Sequence, residues 1–394
     1  MPGIRLARLK YPALGLAVFC LVTAWLPYHW CAREGGRWYD GDSALQARLA
    51  AGVTEWISPG ANGLDRASFS TGSSQFDGEW LFGTYLMSGL GLGQTALEHP
   101  EWRERNVKLM DHCIERILSP QVRAFDAESW SDVDPIAALD GEEYGHIGYL
   151  GYFNMLLSLR RSFGDMPQAK LNDRITEYLV RGVEKAPVAL LRTYPIETYP
   201  VDNTSVGASI ALYDRATGAS HAAVLERWTR EFRARCIDPR TGLLYQCVIY
   251  RNGEPIDAPR GSGTALGAYF LGFADKALSR ELYDAAKREL SDRVLGFGML
   301  REYPKGVPAG WGDIDSGPVV FGYAISPTGF SIGLARMHGD RDQYTRLYAS
   351  AYAFGAPSDR GGRRHFVSGG PLGDAILFAM LTAQPTLPGK GASQ

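Results

Sequence analysis

The stretch Asp202-Asn203-Thr204-Ser205-Val206-Gly207-Ala208-Ser209-Ile210-Ala211-Leu212-Tyr213 carries a single charge, at its first residue. Apolar and small residues alternate along it and leave no face for water. A helix of that kind is buried all round. The next segment, His221–Cys236, differs. Val224, Leu225, Trp228 and Phe232 recur at helical spacing, with Arg and Glu on the opposite side. That pattern is an amphipathic helix with one buried stripe. A buried helix followed by an amphipathic one is the unit from which the rest of the chain reads.

Ala277–Leu290 and Asp340–Ala351 repeat the amphipathic pattern. Other buried segments open on similar punctuation: Phe76-Asp77-Gly78, Tyr144-Gly145-His146, Gly261-Ser262-Gly263-Thr264, Asp315-Ser316-Gly317-Pro318 and Gly369-Gly370-Pro371. With 77, 145, 203, 263, 317 and 371 as markers, the period is roughly 55–65 residues, enough for a helical hairpin and its loops. Six such hairpins predict an all-α fold, an (α/α)6 toroid with apolar helices inside and amphipathic ones outside. The 46 glycines then let inner helices approach closely. Pro318 and Pro371 suit a first helical turn, and Asp202, Asn203 and Ser316 suit N-caps. One β-hairpin insertion is predicted, Leu243–Tyr250 returning through Asn252-Gly253 toward Pro259, as a wall of the cleft.

The 394 residues are 45% apolar and 21% charged, which excludes a disordered or fibrous chain. The 41 Lys+Arg nearly cancel the 43 Asp+Glu, so no basic excess draws in nucleic acid. Five cysteines without a CxxC speak against zinc or a disulfide framework, and no metal or cofactor is expected. Cys236 and Cys247 read either as a pair across the turn Asp238–Leu243 or as two buried thiols. At the N-terminus, Arg5, Arg8 and Lys10 precede an uncharged run, Tyr11–Trp30, of membrane-spanning length. Its rival is a cleaved signal peptide, but Trp25, Tyr28 and Trp30 crowd the cleavage region. The expected layout is a cytoplasmic tail (1–10), an anchor (11–30), a linker (31–43), the barrel (44–384) and a flexible tail (385–394). The basic flank puts the barrel outside the cytoplasm.

If the inner helices run parallel, their N-termini open on one face and gather polar residues there. The candidates for catalysis are Asp202, His146 and one of Asp313 and Asp315. Those for substrate binding are Asp77, Glu79, Glu143, Tyr144, Tyr149, Asn203 and Trp311. Two carboxyls across such a cleft suit acid/base work, one kept protonated by burial and one ionised. Each residue also has a plainer structural reading: Asp202 as a cap, His146 as a satisfied core histidine, Glu143 as a complement to a helix dipole, the aromatics as core. No Walker or HExxH motif occurs.

Asp134-Pro135-Ile136, Gly145-His146, Asp202-Asn203-Thr204, Leu212-Tyr213-Asp214-Arg215 and Ile237-Asp238-Pro239 together resemble the linalool dehydratase-isomerase family, over roughly Asp134–Leu381. Glu55-Trp56-Ile57-Ser58-Pro59 is similar to a family segment that begins with a functional aspartate. The resemblance implies an (α/α)6 barrel from a bacterial enzyme that dehydrates and rearranges linalool, geraniol and myrcene without a cofactor. It places His146 where the family has a substrate-site histidine and Asp202 where the linalool enzyme has a functional cysteine. A second cysteine would fall near Thr193 or Tyr194, where no thiol stands. A two-thiol mechanism therefore cannot run in this chain, although carboxylates can replace the thiols. Two substrate classes follow, an alcohol for a lyase or isomerase and a cell-envelope glycan for a hydrolase or lyase, beside a non-catalytic binding protein. The anchor then lies in a bacterial inner membrane as a single pass, with the barrel periplasmic.

Overall fold

Capping residues, prolines and glycines divide the chain into helical hairpins. The computed structural model describes residues 3–58, 64–307 and 310–384. Its α-helices are α1 (Gly3–Ala32), α2 (Gly35–Tyr39), α3 (Ser43–Ile57), α4 (Ser74–Glu98), α5 (Arg103–Ile117), α6 (Pro120–Ser129), α7 (Ile147–Arg161), α8 (Ala169–Lys185), α9 (Pro200–Thr217), α10 (Ala222–Cys236), α11 (Gly261–Leu271), α12 (Lys276–Leu290), α13 (Ile325–Met337), α14 (Arg341–Gly355) and α15 (Gly370–Leu381). The Asp42 side chain accepts from Leu45 N at the start of α3, and Asp275 and Asp340 cap α12 and α14 in the same way. Proline occupies the first turn of α6, α9 and α15.

Helices α4, α7, α9, α11, α13 and α15 form the inner ring. Each packs on the next, and α15 returns to α4 and closes it. Helices α5, α8, α10, α12, α14 and α3 lie outside, each against its inner partner. The result is the (α/α)6 toroid. The glycines report the direction of the inner helices. A Cβ on Gly89 of α4 would meet Leu156 of α7 at 2.7 Å, and one on Gly93 would meet Leu159 at 2.7 Å. Contacts that advance together along both chains mean parallel helices. Gly333 of α13 meets Tyr269 of α11 and Met380 of α15, each near the C-terminal end of its helix, so these three also run the same way. All six N-termini therefore open on one end of the toroid, and the apolar core fills the other.

Five of the six inner helices begin within three residues of their sequence markers. The sixth, expected near 317, begins at Ile325. Gly317, Phe321 and Gly322 have positive φ (66°, 52° and 85°), which no helix accommodates. The segment instead forms a hairpin, β3 (Val319–Val320) with β4 (Tyr323–Ala324). Pro318 thus lies outside any helix. Ser316 caps none: its hydroxyl accepts from Asp313 N and donates to Gly317 O. Nor do Asp202 and Asn203 cap α9. Tyr199 occupies that place, and Asp202 is already in the first turn.

The predicted hairpin at 243–259 turns at Gly253 (φ 72°), but only isolated bridges join its arms, Tyr245 to Pro259 and Val248 to Pro255. Two prolines on the returning arm donate no N–H, so no ladder forms. Regular hairpins appear elsewhere: β1 (Ser291–Val294) with β2 (Phe297–Leu300), β3 with β4, and β5 (Pro357–Arg360) with β6 (Arg363–Phe366). All five cysteines, Cys236 and Cys247 included, are free. The expected linker is packed rather than loose, because α2 buries Trp38 completely. Helix α1 is the one helix among the described residues long and apolar enough to cross a membrane. The tail 385–394 and the side chains of 1–10 lie outside the described residues.

Candidate functional site

The loop Ala186–Tyr199 crosses the open end of the toroid and is pinned to α9 by Asn203. That side chain accepts from Leu191 N (2.8 Å) and donates to Leu191 O (3.0 Å). An amide with both functions engaged fixes the loop in register. Beyond Leu191 the chain makes a tight return, Thr193 N donating to Glu197 O at 2.9 Å. Thr193 and Tyr194 are thereby held over the start of α9. Thr193 Oγ1 donates to Asp202 Oδ2 at 2.8 Å, and Tyr152 OH, from α7, donates to Asp202 Oδ1 at 2.6 Å. Tyr194 OH reaches Glu79 Oε2, from α4, at 3.5 Å.

Glu79 and Asp202 therefore face one another through two consecutive residues, and Asp315 joins them from the loop before β3. Burial raises the Glu79 pKa to about 8, with the charges of Asp315 and Asp202 adding to the rise. Burial also raises Asp202, to about 6, against the stabilising bonds from Tyr152 and Thr193. Asp315 is lifted to about 6 by burial and by the charge of Asp313. Asp315 keeps solvent access although protein surrounds it, the position of a group on a concave wall. Tyr152 meets the Phe270 ring edge-on at 5.1 Å and gives the cluster an aromatic floor.

Asp313 does not share this cluster. Arg260 holds both its oxygens, at 2.8 Å from Nη2 to Oδ1 and more closely from Nη1 to Oδ2, and donates from Nε to the buried Glu302 at 2.8 Å. Burial alone would lift the Asp313 carboxyl, but the guanidinium keeps it below the ordinary range. Asp313 also accepts from the N–H groups of Asp315 and Ser316. It is a fixed anion that shapes the loop carrying Asp315.

His146 stands beside the cluster. Its backbone is left-handed (φ 59°), a strained conformation for a non-glycine residue. Its Nδ1 lies 2.5 Å from Asp126 Oδ2, and its ring stacks on Trp130 at 4.2 Å. Trp130 Nε1 donates to Thr193 O at 3.2 Å, which ties the histidine to the loop over Asp202. His146 is only 2% exposed, so it is a clamped core histidine at the edge of the cleft.

Several predicted binders lie elsewhere. Tyr149 is fully buried and donates to Ile117 O, toward the outer layer. Tyr144 is buried against Tyr178. Glu143 forms a surface pair with Arg192 at 3.0 Å. Asp77 caps its own loop, accepting from Thr71 N and Oγ1, both at 2.8 Å. Asn203 is the loop clamp, and Trp311 stands 95% exposed on the rim. Sequence reading missed Asp126, Trp130, Tyr152 and Arg260 as partners. Tyr152, two turns into a buried helix that starts beside the site, is the one a helical-face argument could have found. Glu55 pairs with Arg363 and with His365, which in turn meets the buried Asp374. That set stitches α3 to α15. No cluster of three potential metal ligands occurs among the described residues.

The model of the family described as linalool dehydratase/isomerase matches residues 163–368. Among solved structures the chain is similar to Dfg5 from Chaetomium thermophilum in complex with glucosamine, at 15% identity and a TM-score of 0.51 over 87% of this chain and 89% of that one. It is also similar to a family 76 glycoside hydrolase from a bovine Bacteroides thetaiotaomicron strain, at 10% identity and a TM-score of 0.53 over 87% and 78%. At such identities the likeness is one of fold. No curated protein matches the chain in sequence.

Proposed function

The chain belongs to the linalool dehydratase/isomerase family, and from that premise we propose that it is a membrane-anchored, cofactor-independent lyase or isomerase acting on an alcohol. The observation that carries the reading is the trio Glu79, Asp202 and Asp315, whose pKa values near 8, 6 and 6 bracket neutrality. At pH 7 Glu79 holds a proton that the other two have mostly released. An acid and a base within one cleft is the arrangement that dehydration needs.

In this reaction the Glu79 proton passes to the substrate hydroxyl as its C–O bond breaks, leaving water and an allylic cation. The anions of Asp202 and Asp315 stabilise that cation. Asp202 then takes a proton from the adjacent carbon, and the electron pair of that C–H bond becomes the new double bond. In the isomerase variant the released water attacks the far end of the allyl unit, and its surplus proton returns to Glu79. Tyr152 and Thr193 hold Asp202 in place, and Asp126 and Trp130 clamp His146 in the wall behind them. In the family resemblance, 193 or 194 and 202 are the places of the two thiols. Here Thr193 donates to Asp202, and in this reading carboxyls take the place of the thiols.

The test is turnover of linalool and geraniol by the purified full chain in detergent, with alkene and rearranged-alcohol products read by gas chromatography. A glycan-processing enzyme is the second reading, and Trp311 favours it, since an exposed indole on the rim suits a sugar face. Cleavage of a cell-envelope glycan with no alkene formed would establish that alternative.

The anchor is read as a single pass through a bacterial inner membrane, with the barrel on the periplasmic side. The basic N-terminal flank supports that orientation.

A further inference from the structure

Helix α14 follows the inner helix α13 through a short turn at 338–340 and therefore climbs from the closed end of the toroid, its floor, toward the cleft. Helix α1 runs beside it in the same direction. The Arg346 guanidinium lies 5.8 Å from the Tyr28 ring, and one and a half turns farther on Arg33 donates to Tyr352 OH at 2.5 Å. The chain then reverses: Glu34 accepts from Tyr348, and Asp40 meets Arg341 at the bottom of α14. The part of α1 that precedes Tyr28 must therefore continue downward. Only five residues of α14, about 8 Å, lie below Arg346, so α1 soon passes the floor.

Below that level α1 has no partner among the described residues. The described side chains from Leu14 to Leu26 are all exposed, Leu14 at 62% and Phe19 at 64%. Apolar side chains uncovered all round a helix fit hydrocarbon, not water. Residues 11–27 rise about 25 Å, close to the thickness of a bilayer core, and Trp25 and Tyr28 sit at its barrel end like interfacial anchors.

We infer that the barrel stands on the bilayer by its floor, with the cleft turned away from the membrane. Helix α9 has 18 residues, which puts the cleft mouth roughly 27 Å above the floor. Substrate then enters from the aqueous compartment and not sideways from the lipid. An apolar alcohol must leave the bilayer to reach Glu79. This inference rests on α1 crossing the membrane and is independent of the reaction.

The experiment uses the full chain with Cys20→Ser, leaving four buried cysteines, reconstituted in phosphatidylethanolamine/phosphatidylglycerol vesicles. One fluorophore is attached at Ser220→Cys, in the floor loop between α9 and α10, or at Ile196→Cys, on the loop beside the cleft and 91% exposed. Nitroxide-headgroup lipid is the quencher. The floor label is expected to be quenched several-fold more than the cleft label. Equal quenching, stronger quenching at Ile196→Cys, or a chain that does not float with the vesicles would overturn the inference. Alkene formation is not read, so failure here leaves the acid/base reading standing.

Discussion

Thr193 Oγ1 and Asp202 Oδ2 are hydrogen-bonded at 2.8 Å, between the loop over α9 and the first turn of that helix. With Tyr152 on the other oxygen, Asp202 has both oxygens occupied by hydroxyl donors and none by a cation. That is an arrangement for a base that must stay ionised in a poorly solvated place without being neutralised. Asp202→Asn keeps the shape and removes the charge. Turnover should fall by roughly 10²–10⁴-fold, the usual worth of a positioned acid or base, while the melting temperature stays within a few degrees. Full activity of Asp202→Asn on the true substrate would remove Asp202 from the chemistry.

Glu79 gives a prediction in pH. A carboxyl titrating near 8 beside two near 6 should give an activity optimum between about 6 and 8, with apparent values belonging to the coupled set. The stability consequence has a definite sign. In the unfolded chain Glu79 loses its proton near 4.3, whereas in the fold it keeps it to about 8. The native state binds more protons in that window, so Glu79 makes stability fall as pH rises from about 4 to 8. Glu79→Gln should flatten this part of the stability curve and abolish the alkaline limb of the activity profile. An unchanged alkaline limb would assign the acid to another group.

The fold was legible because burial patterning and punctuation repeat. The charge-free run after Asp202 and the Arg- and Glu-faced run after His221 each state their layer in the ring. The candidate site was only half legible. Asp202 and Asp315 could be named because they sit at helix-start punctuation, but the same logic named Asp77 and Asn203, which are a loop cap and a loop clamp. Punctuation marks where a polar side chain is needed and does not distinguish a cap from a catalyst. Asp126 and Trp130 were out of reach because their partners, His146 and Thr193, are 20 and 63 residues away and the pairing is purely tertiary. The β3–β4 hairpin was missed because Ser-Gly-Pro reads equally as a helix start and as a turn.

Arg260 separates architecture from chemistry. Its guanidinium bridges Glu302, fully buried, and Asp313. Arg260→Met would leave the Glu302 carboxylate without its cation, and breaking such a buried pair costs about 3–5 kcal/mol. A clear drop in the urea midpoint is expected. Asp313→Asn should be milder in stability, since that carboxyl keeps solvent access, yet it should lower turnover by loosening the loop that carries Asp315. If Asp313→Asn instead lowers turnover as far as Asp202→Asn does, Asp313 itself acts on the substrate.

The glycines of the inner ring serve two ends, and substitution distinguishes them. A Cβ on Gly207 would sit 2.7 Å from the buried Trp228 ring, which has no room to retreat. Gly207→Ala should cost about 1–3 kcal/mol through overpacking. Gly373 occupies the same kind of helix but has nothing within 4 Å of the added atom and a backbone that any residue adopts. It lies two turns above Met380 on the same face of α15, toward α13 and at the N-terminal end of the ring, where the added atom meets open space. Gly373→Ala should stabilise by about 0.5–1 kcal/mol, because the unfolded chain loses freedom and nothing clashes. The same position should govern substrate size: Gly373→Leu should fold normally and exclude the bulkier of two alcohols by raising KM. Thermal melts of the two alanine variants decide the packing claim. Equal destabilisation at 207 and 373 would mean that this open space is filled, and the size effect at 373 would then have no space to act on.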